Sequence, residues 1–352
     1  MTNLPSVVFD RTHWGRIRLS GADRVRFLHN QTTNNIEALT PGQGCHTVFV
    51  TSTGRTIDLA TAYALPDSLL VTVSPGMTKQ LYDWMDRYIF FSDKVTLQDE
   101  SDQTFMFTVL GEKADSVVLA LGGSALDAAS LEHEQFSHQT VALGGVECLL
   151  AVGSDLALPG YTLIGPKEAA TTVWQALLDV GAQPGTSEQW DALRITQGRP
   201  MPTQELTDND NPLEAGLWHS ISFEKGCYIG QETIARLNTY KGVKKRLWGL
   251  KLDKNVAPGA TISTAVLASD NAEDTRSEDT STETDNSAEP KTPKVAKIGR
   301  LTSTVETETG IWGLGYLRTK AGGEGLRVSI DGVAAEAITL PFIRHEYYAV
   351  KK

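Results

Sequence analysis

The stretch Lys225-Gly-Cys-Tyr-Ile-Gly-Gln-Glu232 gathers reactive and conformationally special residues in eight positions. A thiol stands between two glycines, with a lysine two residues before it and an amide and a carboxylate after it. On an extended segment Lys225 and Cys227 share a face, because strand side chains repeat every second residue. A cation beside a thiol favours the thiolate. Glu232-Thr-Ile-Ala-Arg-Leu237 has helical character, with Glu232 and Arg236 at i,i+4. Cys227 then precedes a helix N-terminus, whose partial positive charge acts in the same direction. Gly226 and Gly230 allow backbone angles, or a close approach, that a side chain would block. The same pattern also suits a packing cysteine in a tight strand-to-helix turn, since free cysteine is among the most buried residue types. Cys45 and Cys148 lie far from it in the chain and read as packing residues.

The elements that must position this stretch follow from periodicity. Trp14–Ser20 alternates as a half-buried strand, and Arg24–Asn30 has helical spacing. Thr47–Val50, Ile57–Leu65 and Leu69–Val73 read as strands, and Pro75–Tyr88 as a helix with Pro at its start. A second unit has the same element order, which hints at duplication. It comprises strand Thr104–Leu110, helix Glu112–Leu121, an irregular stretch 123–139, strands Val146–Val152 and Tyr161–Ile164, and helix Lys167–Val180. Ser187–Gln197 is a further helix, capped by Ser187. Short strands at Leu247–Leu252, Ile298–Ser303, Ile311–Tyr316 and Leu326–Ile330 predict a small β-barrel or sandwich. The expected fold class is α+β. The expected units are 1–100, 101–245 (with a return to the first unit), and a C-terminal barrel from 246–268 and 295–352. Residues 269–294, rich in Ser, Thr, Asp and Glu, read as a disordered acidic insertion in a barrel hairpin.

Composition narrows the function classes. The 352 residues are 40% hydrophobic and 21% charged, as in a globular protein. No apolar run is long enough to span a bilayer, and no secretory leader is visible, so a cytoplasmic location without membrane partners is expected. Three scattered cysteines argue against a disulfide framework and offer no zinc or iron–sulfur cage, so no stably bound metal is expected. The net charge of −11 argues against direct nucleic-acid binding.

The chain resembles the YgfZ family, a branch of the folate-binding glycine-cleavage T-protein (aminomethyltransferase) superfamily. Residues 225–232 match every position of that family's K-G-C-[FY]-x-G-Q-E pattern. Asn211–Gly216, Lys244–Leu250, Leu19–Leu28, Gly54–Asp58 and Ile298–Ser303 resemble superfamily segments, so the likeness covers nearly everything except 269–294. It implies a T-protein-like arrangement of three domains around a central cavity that holds tetrahydrofolate or a derivative. It also implies an accessory role in assembling or maintaining iron–sulfur clusters in particular enzymes, tRNA-modifying ones among them. Folate and iron–sulfur clients or assembly proteins would be its partners. The alternative is a tetrahydrofolate-dependent aminomethyltransferase of the glycine-cleavage type.

The resemblance assigns Cys227 as a transient cluster ligand or nucleophile tuned by Lys225, with Gly226, Tyr228, Gly230, Gln231 and Glu232 as the binding motif around it. Asp58 stands where T-protein enzymes place an acid that handles the folate nitrogen, although the second acid of that pair is Leu59 here. Asp58 is then a proton carrier or a solvent-facing strand residue. Thr196 or Gln197 replaces an acid that contacts the pterin, and either can hydrogen-bond a ring edge. Tyr63, Trp84 and Trp218 are candidates for stacking on the ring or for the core. Lys241–Arg246 is a solvated basic run, an anchor for the folate carboxylates with Arg236, or an RNA contact.

Overall fold

The computed structural model describes residues 6–122, 136–264 and 296–346. The expected irregular stretch, up to residue 135, and the acidic insertion lie outside the described residues. Strand β1 (Val7–Asp10) leads into β2 (Gly15–Ser20), α1 (Arg24–Gln31), β3 (Gly44–Val50), β4 (Thr56–Ala64), β5 (Ser68–Val73), α2 (Thr78–Asp86) and β6 (Thr96–Asp99). The series β7 (Thr104–Leu110), α3 (Ala114–Ala120), β8 (His138–Leu143), β9 (Val146–Val152), β10 (Gly160–Pro166), α4 (Ala170–Asp179) and β11 (Gln183–Pro184) repeats that order. The duplication is visible in the sheets. One has strand order β3-β4-β5-β2-β6, and the other β8-β9-β10-β7-β1-β11. The second is the first with β1 inserted beside its last strand, so the chain's opening strand belongs to the later sheet.

Strand β4 shows why the sheets stand where they do. All nine of its residues are buried, as in a strand covered on both faces. Ile57, Ala60 and Ala62 join the core formed with Leu28 of α1 and Leu81 and Met85 of α2. Leu59 packs with Val48, Leu213, Leu217 and Trp218. Tyr63 enters a third cluster with Met106 and Ile164 of the other sheet.

Helix α5 (Ser187–Gln197) is capped by Thr186, one residue earlier than expected. Thr186 and Gln189 exchange side-chain and backbone hydrogen bonds as a capping box. Helix α6 (Gln231–Thr239) follows the motif. Strands β12 (Lys245–Leu252), β13 (Thr261–Thr264), β14 (Lys297–Thr307), β15 (Gly310–Arg318), β16 (Arg327–Ile330) and β17 (Val333–Ile338) close into a barrel in the order β12-β15-β14-β13-β16-β17. Ile195 of α5 packs on it with Leu247, Leu314 and Tyr316.

Candidate functional site

The motif is an irregular turn on the surface. Lys225 and Tyr228 are buried, while Gly226 and Cys227 face solvent. The expected strand-like face shared by Lys225 and Cys227 is therefore not formed. The Lys225 ammonium is directed inward and donates to the carbonyls of His29, Thr32 (2.7 Å) and Asn34 (2.8 Å). It stands 4.8 Å from the Tyr228 ring centroid. Three donors meet three acceptors at the C-terminal end of α1, where a cation is favoured. Burial pulls Lys225 down to about 7, opposed by Cys45 and Glu37. These bonds tie the end of α1 and the loop after it to the motif.

Gly230 begins α6 with φ 81°. A Cβ there would lie 2.5 Å from the Thr51 carbonyl oxygen and 3.1 Å from Gly54, so the motif docks directly on the β3–β4 turn. At Gly226 a Cβ would meet nothing closer than the His29 ring at 3.8 Å. Gln231 opens the helix, its amide 3.4 Å from the Gly226 carbonyl oxygen. Glu232 and Arg236 are exposed on α6.

From that turn β4 runs inward to Asp58, fully buried beside a bulge: Phe49 pairs with Asp58 and Val50 with Thr56, leaving Ile57 extra. One Asp58 carboxylate oxygen accepts from the Ser74 N–H at 2.8 Å. The other, Oδ1, has no partner among the described residues. Burial pushes this carboxyl up to about 6, although the Ser74 hydrogen bonds and Arg199 pull the other way. Ser74 leads to Pro75, and its hydroxyl lies 4.0 Å from Met201 Sδ. Pro75 and Met201 line a cleft of about 460 Å³, walled also by Phe9, Arg11, Trp14, Trp190 and Arg194.

Tyr63 does not line this cleft: it packs in the buried cluster behind Phe9, Trp14 and Trp190 and meets His138 edge-on at 5.3 Å. Trp84 packs on Tyr88 at the outer core, and Trp218 lies in the core under the motif. Thr196 turns its hydroxyl onto its own helix, donating to Ala192 and Leu193. Gln197 carries a buried Oε1 without a partner among the described residues. It shares the helix face of Trp190 and Arg194 by spacing.

The sequence reading missed the charge network behind the cleft. Asp155 accepts from Arg11 (2.7 Å) and Arg199 (2.8 Å) on one oxygen and from His46 Nε2 (2.8 Å) on the other. Arg11 lies 3.6 Å over the Trp14 ring and 4.3 Å over Trp190. Burial alone would raise the Asp155 carboxyl, but Arg199, Arg11 and His46 hold it well below the usual carboxylate range. Burial lowers Arg11 to about 10, with Asp155 opposing. These residues come from positions 11, 46, 155 and 199, and no local spacing links them.

The residues fit a flat heteroaromatic ring with polar edges. Indole and phenyl faces line the cleft. The indole N–H groups of Trp14 and Trp190 in its wall lack partners among the described residues, as do two buried oxygens outside the lining, Asp58 Oδ1 and Gln197 Oε1. Among the described residues no group of three His, Cys, Asp or Glu side chains is placed to hold a metal ion, and no helix is long and apolar enough to cross a membrane.

The family profile described as GCVT N-terminal domain matches residues 4–225. A putative chloroplastic transferase of Arabidopsis thaliana is 40% identical over 348 residues, covering 97% of this chain and 72% of the relative. An aminomethyltransferase of Caldanaerobacter subterraneus is 29% identical over 258 residues, or 71% of this chain and 67% of the relative. The crystal structure of the glycine cleavage system aminomethyltransferase T from Bartonella henselae superimposes with a TM-score of 0.76 at 17% identity, over 99% of this chain and 89% of that one. That superposition shows the T-protein fold, with its small closed barrel.

Proposed function

Because the chain belongs to the GCVT (aminomethyltransferase) family, we propose that it binds a reduced folate and transfers a one-carbon unit with it, as a glycine-cleavage-type aminomethyltransferase does. The observation that carries this reading is Asp58: a fully buried carboxyl raised to about 6, one oxygen held by Ser74 and the other unpartnered among the described residues, beside the wall of an aromatic cleft. Bound tetrahydrofolate would supply the ring nitrogens that carry the one-carbon group. Trp14, Trp190 and Phe9 provide flat apolar faces that orient such a ring and exclude water. Arg199 partly offsets the burial that disfavours the ionised form of Asp58, the form that accepts a proton at Oδ1. A carboxyl titrating near 6 suits proton exchange close to neutrality.

The test is calorimetric titration with tetrahydrofolate together with an assay of one-carbon transfer from a panel of amine donors. Asp58→Asn should bind folate within a few-fold of wild type and lose turnover by about 10²–10³-fold. Absence of folate binding, or of transfer from every donor, sinks the proposal. One observation supports a second reading, the accessory role in iron–sulfur enzymes implied by the motif. Cys227 is exposed on a turn fixed to α1 and to the β3–β4 turn, outside the cleft, where a partner protein can reach it. Under that reading Cys227→Ala spares folate turnover and fails to restore iron–sulfur enzyme activity in a deletion strain.

A further inference from the structure

A second cleft, of about 810 Å³, opens where the β3–β4 turn meets the barrel, and it is strongly basic. Arg55, Lys241, Lys244, Lys245, Arg318 and Lys320 line it in a chain whose net charge is −11. Two carboxylates oppose these six cations. Asp210 takes Lys245 at 2.6 Å and Arg300 at 2.7 Å, and Glu214, itself buried and raised by burial, lies 3.9 Å from Lys245. Among the described residues Lys244, Arg318 and Lys320 form no salt bridge with a carboxylate, and Arg55 meets Glu214 only through its longer-range charge.

The walls are built rather than incidental. Lys245 and Arg318 are register partners on β12 and β15. Thr319 donates its N–H to the Lys244 carbonyl and its hydroxyl to the Val243 carbonyl, both at 2.9 Å. Arg55 donates to the Asn209 carbonyl at 3.2 Å. Between Arg55 and Asp58, the buried Thr56 bonds to the Asp210 carbonyl through its N–H (2.9 Å) and hydroxyl (3.1 Å).

Like charges held together in a concavity repel one another and focus field on an incoming anion. We propose that this cleft binds a compact oligophosphate, of the kind carried by a nucleoside triphosphate. The volume is that of a small-molecule site. The charge excess requires several negative charges in a small space, which adjacent phosphates supply. Arginine forks and lysine point charges are the side chains that hold phosphate oxygens. An extended polyanion would need a basic track, and the acidic remainder of the chain opposes one. The proposal is independent of the folate reading.

The test is calorimetry on the full chain at physiological salt with pyrophosphate and with ATP. Inorganic phosphate, a short single-stranded RNA and tetrahydrofolate serve as the other arms. Saturable binding of pyrophosphate and ATP is expected, weakened at least about tenfold in Lys244→Ala/Lys320→Ala, two exposed positions whose loss leaves the melting temperature unchanged. Equal affinity in the double variant, or no saturable binding in the millimolar range, overturns the proposal. Binding that inorganic phosphate matches, or that only RNA shows with affinity rising with length, also overturns it. So does displacement of pyrophosphate by tetrahydrofolate, which would make the cleft an anchor for the folate carboxylates.

Discussion

Asp58 ties stability to pH in a direction opposite to that of a salt-bridged carboxylate. Its folded value, about 6, lies above the ordinary 3.8 because burial disfavours the charge. Between those values the folded chain holds a proton that the unfolded chain has released. Stability therefore falls as pH rises through this window, and the penalty is complete above about 6. Two pH units set an upper bound of about 3 kcal/mol. Asp58→Asn should be more stable than wild type by about 1–2 kcal/mol near neutral pH, with the advantage gone near pH 4, as measured by urea unfolding at both. A variant no more stable at neutral pH would mean that Asp58 is relieved in solution by a partner or water. Asp58 stood out in the sequence only through the family resemblance, as a proton carrier or a solvent-facing strand residue. Its burial was not legible, because that depends on coverage of both faces of β4 by segments far away in sequence. The network of Arg11, His46, Asp155 and Arg199 was wholly illegible, because its members share no element.

At the scale of elements, the two glycines of the motif separate into one that the fold requires and one that it does not. Gly230 has a left-handed φ of 81° and sits against the Thr51 carbonyl. Gly230→Ala combines backbone strain with a steric clash, and should lose roughly 2–4 kcal/mol in chemical denaturation. Gly226→Ala meets only van der Waals distances and should stay within about 0.5 kcal/mol of wild type. Equal effects would contradict the docking of the motif onto the β3–β4 turn. The sequence located α5 and α6 and most strands to within a few residues, because apolar periodicity decides them. It misjudged Lys225 because period-two alternation was applied to a turn, where Lys225 faces in and Cys227 faces out. Strands β1, β6, β8, β11, β13 and β17 escaped it, being short segments whose pairing is set by their partners, and β8 begins at His138 inside the stretch expected to be irregular.

For the whole molecule, the consequential feature is that one buried carboxylate holds side chains from both halves of the duplication and from the segment after α5. Asp155 follows the second sheet's β9, His46 lies on the first sheet's β3, Arg11 follows β1, and Arg199 follows α5, which packs on the barrel. Removing the charge from Asp155 leaves two buried guanidinium groups with no anion between them, whereas removing one arginine leaves an ion pair. Breaking a buried network by deleting the shared partner costs about 3–5 kcal/mol. Asp155→Asn should therefore lower stability by that amount, and Arg199→Met by less. Because Arg11 lies over Trp14 and Trp190, indole fluorescence should report the loosening of this junction before the far-ultraviolet signal of the sheets is lost, turning one unfolding transition into two. The Asp155 carboxyl is held far below the ordinary range, so its contribution is present in full above the unfolded carboxyl value and is lost only in strong acid. The penalty of Asp155→Asn should thus be flat across the pH window in which Asp58→Asn loses its advantage. If the two variants showed the same pH dependence, the carboxylates would be titrating as one coupled site, and the assignment of a proton-exchanging role to Asp58 alone would fail.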